Sequence, residues 1–157
     1  MRSTRRQAGF SAVEVLVVIA IVALLAALAL PGWRTPDDAG QTTSMVNRLT
    51  QLRSAIDSYW TQHDGFPGPD DARLREQLVG RTDRSGSIGT GAEHVLGPYL
   101  RHGIPVNPLT GDDSLKVVAS MPNAPDGASA WIYCPANGEV RCNTAGVTPE
   151  GVALFDL

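Results

Sequence analysis

The chain has 157 residues, with 13 basic and 16 acidic side chains and a formal net charge of −3. This length suffices for one modest domain and an anchoring segment. Three of the basic side chains lie within residues 1–9, so the remainder carries ten basic side chains against sixteen acidic ones. Such an acidic remainder argues against nucleic-acid binding, which requires a basic face.

The amino-terminal stretch combines an apolar run with a single carboxylate. Residues 9–14 read Gly-Phe-Ser-Ala-Val-Glu, and sixteen unbroken apolar residues follow. A helix over residues 10–30 is about 31 Å long, enough to span a hydrocarbon core of roughly 30 Å. The arginines ahead of it predict a cytoplasmic amino terminus. A charge within a bilayer costs about 2.5–3.5 kcal/mol on insertion scales, so Glu14 is expected to have a partner.

This order of residues resembles the class III leader of type IV pilins and type II secretion pseudopilins. The family pattern is a short basic leader that ends in Gly, then Phe, Ser or Thr, two variable residues and Glu before an apolar helix. The resemblance implies that a prepilin peptidase cleaves between Gly9 and Phe10 and that the new amino terminus, Phe10, is N-methylated. The hypothesis for Glu14 is a pair with the Phe10 amine of a neighbouring filament subunit, because two buried charges repay their desolvation only as a close pair.

Two other interpretations of the same segment compete with this one. Ala27-Leu28-Ala29 is an A-x-A site of the kind that ends a secretory signal peptide, and its use would leave Leu30 as the first residue. An unprocessed single-span anchor is the other. Glu14 and the complete motif favour the pilin-like leader over both.

A helical stem is predicted over residues 31–64. Pro31-Gly32 ends the apolar run, and the chain either kinks there or breaks until Pro36. Farther on, apolar residues follow helical spacing on one face: Met45, Leu49, Leu52, Ile56 and Tyr59. Trp60 is expected to extend this buried face, and Gly65 is a candidate helix stop.

The globular head is predicted over residues 65–157. Its first part is predicted to consist of loops and short helices. Asp70 or Asp71 is expected to cap a helix that runs through Val79, with Leu74 and Leu78 facing inward. A mobile surface loop is predicted over 80–91, a further short helix over 93–100 and an extended, proline-rich segment over 104–111.

Four strand candidates follow, over 115–120, 130–134, 139–143 and 152–155. Asn137-Gly138 predicts a hairpin between the second and third. The fold class is therefore α+β: a long amino-terminal helix packed on a small head of three or four antiparallel strands, as in pilins.

The register of this hairpin determines whether the two cysteines can form a disulfide. A two-residue loop at Asn137-Gly138 turns Cys134 and Cys142 to opposite faces, whereas a loop centred on Gly138 places them opposite each other. Pro135 cannot donate to the ladder and favours the longer loop. A structural Cys134–Cys142 disulfide is predicted on this basis, since the head is expected outside the cytoplasm.

Catalytic and metal-binding patterns find little support. No nucleophile lies in a strained elbow, and the three histidines, His63, His94 and His102, are predicted on the surface, so the chain is not expected to be an enzyme. The resemblance implies a carboxyl-terminal calcium loop, but residues 143–151 lack the acidic cluster that a hard cation requires. No cofactor is predicted, and calcium alone stays open.

The predicted function is mechanical. The resemblance implies a subunit of a type II secretion pseudopilus, of the major kind, anchored once in the inner bacterial membrane with its head in the periplasm. Its implied partners are further copies of itself, the prepilin peptidase, an assembly ATPase and an inner-membrane platform protein. A type IV or competence pilus subunit is the alternative within this class. An exported soluble binding domain and, more weakly, a membrane-tethered enzyme represent other classes.

Overall fold

Helices occupy the first half of the chain and a small sheet lies in the second. The structure is a computed structural model that describes residues 12–29 and 36–157. Its elements are α1 (Ala12–Ala29), α2 (Pro36–Gln62), α3 (Asp71–Val79), β1 (Leu115–Val117), β2 (Trp131–Cys134), β3 (Glu139–Cys142) and a 3₁₀ helix (Leu154–Asp156). The chain divides into two units between residues 35 and 36.

One face of α2 packs into the core of the head. All five residues predicted for this face are buried: Met45, Leu49, Leu52, Ile56 and Tyr59. The prediction for Trp60 is wrong, because its side chain is 53% exposed and stacks on Phe66 beside the helix. The helix also ends at Gln62, before the predicted stop at Gly65.

The short helix α3 forms as its sequence predicts. The Asp70 side chain accepts a hydrogen bond from the Arg73 backbone N–H at 2.9 Å and so caps the first turn. Leu74 and Leu78 are fully buried, one turn apart on the inward face. The predicted cap and the predicted face are both confirmed.

The sheet has three strands in the order β1-β2-β3, with β2 at the centre. Strands β2 and β3 are antiparallel, but β1 and β2 are parallel, which corrects the prediction of an all-antiparallel sheet. The reason is the segment 118–130, which carries the chain back along the sheet before β2 begins, so that both strands run in one direction. Other buried apolar members of the core include Leu100, Ile104, Ala130, Trp131, Tyr133, Val140 and Leu154.

Two predicted elements do not form. Residues 93–100 contain no helix, because the Leu96 backbone pairs with that of Thr82 through both its N–H and its carbonyl. Residues 152–155 are not a strand: one bridge joins Ala153 to Val147, and the 3₁₀ helix follows. Thr82 is fully buried, which also corrects the prediction of a surface loop at that point.

The hairpin register determines the state of the cysteines. Cys134 lies opposite Glu139 and Cys142 opposite Trp131, with four loop residues between the strands. Residues opposite each other share a face and residues three apart do not, so the two cysteine side chains point to opposite faces of the sheet. Both thiols are buried and free. The predicted Cys134–Cys142 bridge is therefore not formed.

Candidate assembly surface

Over residues 12–23, helix α1 presents exposed side chains, all of them apolar except Glu14. Its sequence is aliphatic except for Glu14 in the first turn, and exposed residues include Val13 at 70% and Leu16 at 69%. Val17, Val18 and Ile19 are exposed as well. A carboxylate in the first helical turn is favoured by the partial positive charge of that terminus. The helix thus combines a large apolar surface with one well-placed charge.

The two processing residues predicted from the sequence, Gly9 and Phe10, lie outside the described residues, so cleavage, methylation and the Glu14–Phe10 pairing stay predictions. The proposed kink or break between Pro31 and Pro36 also falls mainly on residues outside the described ranges. Within residues 12–29 and 36–157, no helix satisfies both the length and the hydropathy required to cross a membrane.

A second cluster, which the sequence-based prediction missed, surrounds His63. This side chain is buried rather than on the surface. Its Nδ1 lies 2.8 Å from the Tyr59 carbonyl and its Nε2 lies 3.0 Å from Thr82 Oγ1. The imidazole stacks on the Tyr59 ring at 3.8 Å between centroids. The signal was present in the sequence: His63 follows Tyr59 by four residues and continues its buried face.

The His63 cluster joins the end of α2 to the loop 80–91. The Tyr99 hydroxyl donates to Gln62 Oε1 at 2.8 Å, and its ring packs edge-on against Tyr59. The two polar partners of the His63 ring, the Tyr59 carbonyl and Thr82 Oγ1, belong to α2 and to the loop 80–91. We therefore assign the cluster a packing role rather than a catalytic one.

A third cluster, the Asp126 cluster, connects three segments on the outer side of the sheet. Asp126 Oδ1 accepts hydrogen bonds from the Ala128 N–H at 3.0 Å and from Asn143 Nδ2 at 2.7 Å. Asp126 Oδ2 accepts from the Lys116 ammonium. Asn143 is fully buried, and its Oδ1 accepts from the Asp126 N–H at 3.0 Å. The Lys116 ammonium, together with the Asn143 amide, holds the pKa of the Asp126 carboxyl below its ordinary value.

This cluster is also the nearest candidate for the calcium ion that the resemblance implies, because Asn143 begins the carboxyl-terminal loop, residues 143–151, to which that ion is assigned. The donor set does not fit. One carboxylate is present, and both of its oxygens already accept hydrogen bonds. Among the described residues, no three His, Cys, Asp or Glu side chains are grouped closely enough to hold a metal ion.

Comparisons with known proteins agree with the amino-terminal motif. The family model for the prokaryotic N-terminal methylation motif matches residues 4–30. The chain is 36% identical over 62 residues to a fimbrial protein of Neisseria meningitidis serogroup B, which is 40% of this chain and 36% of that protein. It is 31% identical over 67 residues to the type II secretion system core protein G of Escherichia coli K12, which is 43% of this chain and 46% of that protein.

A longer match covers most of the chain at lower identity. The type IV major fimbrial protein FimA of Dichelobacter nodosus is 26% identical over 119 residues, 73% of this chain and 71% of that protein. By contrast, the chain spans less than half the length of the Neisseria fimbrial protein and of the Escherichia core protein G. No solved structure matches the chain. The predicted resemblance to type IV pilins and secretion pseudopilins is thus confirmed.

Proposed function

We propose that this chain is a structural, non-enzymatic subunit of a pilin-like filament, and specifically of a type II secretion pseudopilus. The observation that carries the proposal is the methylation motif over residues 4–30, which includes the helix α1 with Glu14 in its first turn and exposed apolar side chains. An aliphatic helix of this kind gains most by packing against equally apolar surface. Copies of the same helix supply that surface.

The proposal includes a route to the filament. The leader, residues 1–9, is removed by a prepilin peptidase, and Phe10 becomes the methylated terminus. The chain waits in the inner membrane through residues 10–30 with its head in the periplasm. An assembly ATPase and a platform protein then extract it. In the filament, the Glu14 carboxylate pairs with the Phe10 amine of a neighbour, because an isolated charge in an apolar core is strongly unfavourable.

Replacing Glu14 tests this route. Mass spectrometry of the E14A variant should show a mature chain that begins at Phe10, as in the unmodified protein. Electron micrographs should show at least about tenfold fewer filaments, because the Phe10 amine loses its partner. V17A is the matched control, since it trims an exposed apolar residue of the same helix and leaves the charge in place. Normal assembly of E14A would contradict the pairing. A mature chain that begins at Leu30 would identify a signal peptide instead.

Deleting the gene in its own bacterium separates the two kinds of filament. Loss of exported enzymes from the medium, with surface pili intact, is the expected result for a secretion pseudopilin. Loss of surface pili with normal secretion would assign the chain to a type IV pilus, as the similarity to fimbrial proteins also allows.

A further inference from the structure

The Asp126 cluster contains an unusual choice of cation. Lys116 is the only lysine among the 13 basic residues of the chain, and every other one is arginine. It lies in the middle of β1, on the side of the sheet opposite to the buried Leu115. Its ammonium binds Asp126 Oδ2, ten residues along the chain. Half of each side chain is shielded from water, with 44% of Lys116 and 45% of Asp126 exposed.

The geometry of the carboxylate explains why an ammonium serves at this position. Arginine is favoured over lysine where both oxygens of a carboxylate are open to its planar, two-pronged guanidinium. At Asp126 one oxygen is already taken by the Ala128 N–H and Asn143 Nδ2. Only Oδ2 remains, and a compact point charge is sufficient to satisfy it.

The hydrogen bonds around Asp126 connect three segments of the head: β1, the connection from β1 to β2, and the segment after β3. Lys116 belongs to β1, Asp126 to the segment that leads into β2, and Asn143 follows β3 directly. The Asn143 amide also donates to Ser129 Oγ at 2.9 Å, and that hydroxyl donates to the Trp131 carbonyl at 2.7 Å. A single carboxylate therefore holds the long β1–β2 connection against both of its neighbours.

We propose that Lys116 acts as an internal cation that closes this connection, so that the head folds and keeps its stability without calcium or any other divalent ion. A metal ion at Asp126 Oδ2 would have to displace the ammonium or lie against it, and two like charges at contact distance repel each other. The remaining oxygens of the cluster are engaged with one another and do not form the set of six to eight ligands that calcium takes.

Thermal unfolding of the full-length chain in detergent, followed by circular dichroism, tests the proposal. We expect K116M to lower the Tm by about 3 °C, as for a partly buried ion pair in a domain of this size. K116R keeps a positive charge and should recover more than half of this loss. In the double variant K116M/D126N, the two effects should not add, because both substitutions break the same contact.

The matched control is E76Q, which removes the acidic partner of an exposed ion pair between Arg73 and Glu76 at 4.0 Å. This variant should stay within about 1 °C of the unmodified chain. If K116M behaves like E76Q, or if the effects of K116M and D126N add, Lys116 does not close the connection.

Calcium is added to the unmodified chain in the same assay, at about 5 mM against an excess of chelator. Any site with a dissociation constant below about 1 mM would raise the Tm by several degrees at this concentration, because ligand binding stabilises the folded state by mass action. We expect a change of less than about 1 °C. A rise of several degrees would overturn the proposal and establish a calcium site.

Discussion

Helices α1 and α2 differ in how their apolar side chains are distributed and exposed. In α2 the apolar side chains from Met45 to Tyr59 occupy one face, which is buried in the core of the head, and only Trp60 among the large ones is exposed. In α1 they lie on every side, and those that are described, from Val13 to Val22, are largely exposed. The first helix is therefore matched to surroundings outside this chain, whereas the second is matched to the chain itself.

Because of this difference, the stability of the folded head and the free energy gained by covering α1 depend on different contacts. Burial of apolar area stabilises the head by roughly 25 cal/mol per Å² removed from water, and it does so within each copy. The same term acts on α1 only when another apolar phase covers it, which under the proposed function is first lipid and then neighbouring subunits. Substitutions in the two helices should therefore affect different measurements.

The largest effect is expected from W131A in the head. Trp131 is fully buried in β2, and its Nε1 donates to the Pro105 carbonyl at 2.8 Å. Its removal should lower the free energy of unfolding by about 3–5 kcal/mol, measured by urea denaturation in detergent, through the cavity it leaves. L16A in α1 should change this free energy by less than about 0.5 kcal/mol, since Leu16 is exposed. Equal effects of the two substitutions would remove the distinction between the head and α1.

A smaller effect sharpens the comparison at the tip of the hairpin. A Cβ atom at Gly138 would lie 2.2 Å from Cε1 of the Phe66 ring, and Gly138 has a φ of +72°. Gly111 has a similar φ of +78°, but nothing lies within 4 Å of its Cβ position. We expect G111A to cost about 1 kcal/mol for the backbone alone, and G138A about 2–4 kcal/mol because the ring must also move. Equal costs in urea denaturation would show that Phe66 does not pack on the turn.

The smallest effect concerns alkaline pH. Burial raises the pKa of the Tyr133 phenol above its ordinary value of 10.0, and the hydroxyl donates to the Pro67 carbonyl at 2.7 Å. Because the folded-state pKa exceeds the unfolded-state value, this contribution to stability is complete below about pH 10 and is lost as the pH rises above it. The free energy of unfolding should fall as the pH rises above about 10, and by less in Y133F. An equal fall in both proteins would assign the loss to other groups.

Regular helical features were predictable because they depend on local spacing. The face of α2 from Met45 to Tyr59, the Asp70 cap and the inward leucines of α3 all follow from residues within one or two turns of each other. Trp60 shows the limit of such reasoning. Its side chain is apolar and adjacent to the buried face, but it stacks on Phe66 outside the core, and that contact depends on the loop after the helix.

The sheet was harder to predict because its pairing is between distant segments. The locations of β1, β2 and β3 followed from composition, although the candidate over 152–155 did not form a strand. The direction of β1 relative to β2 depends on the route of residues 118–130. The hairpin register likewise turned on a four-residue loop, and a different register from the one expected left Cys134 and Cys142 on opposite faces. Contacts such as that between Lys116 and Asp126 could not be predicted for the same reason.

The amino-acid sequence alone was sufficient to identify the amino-terminal methylation motif, the apolar helix with its carboxylate and the relationship to pilins, because these are contiguous patterns along the chain. Only the tertiary structure decided which side chains far apart in sequence meet: the two thiols stay free, His63 contacts Thr82, and the Lys116 ammonium binds Asp126. The physical reason is that a helix face or a leader depends on neighbours in sequence, whereas strand direction, register and ion pairs depend on how the whole head closes around its core.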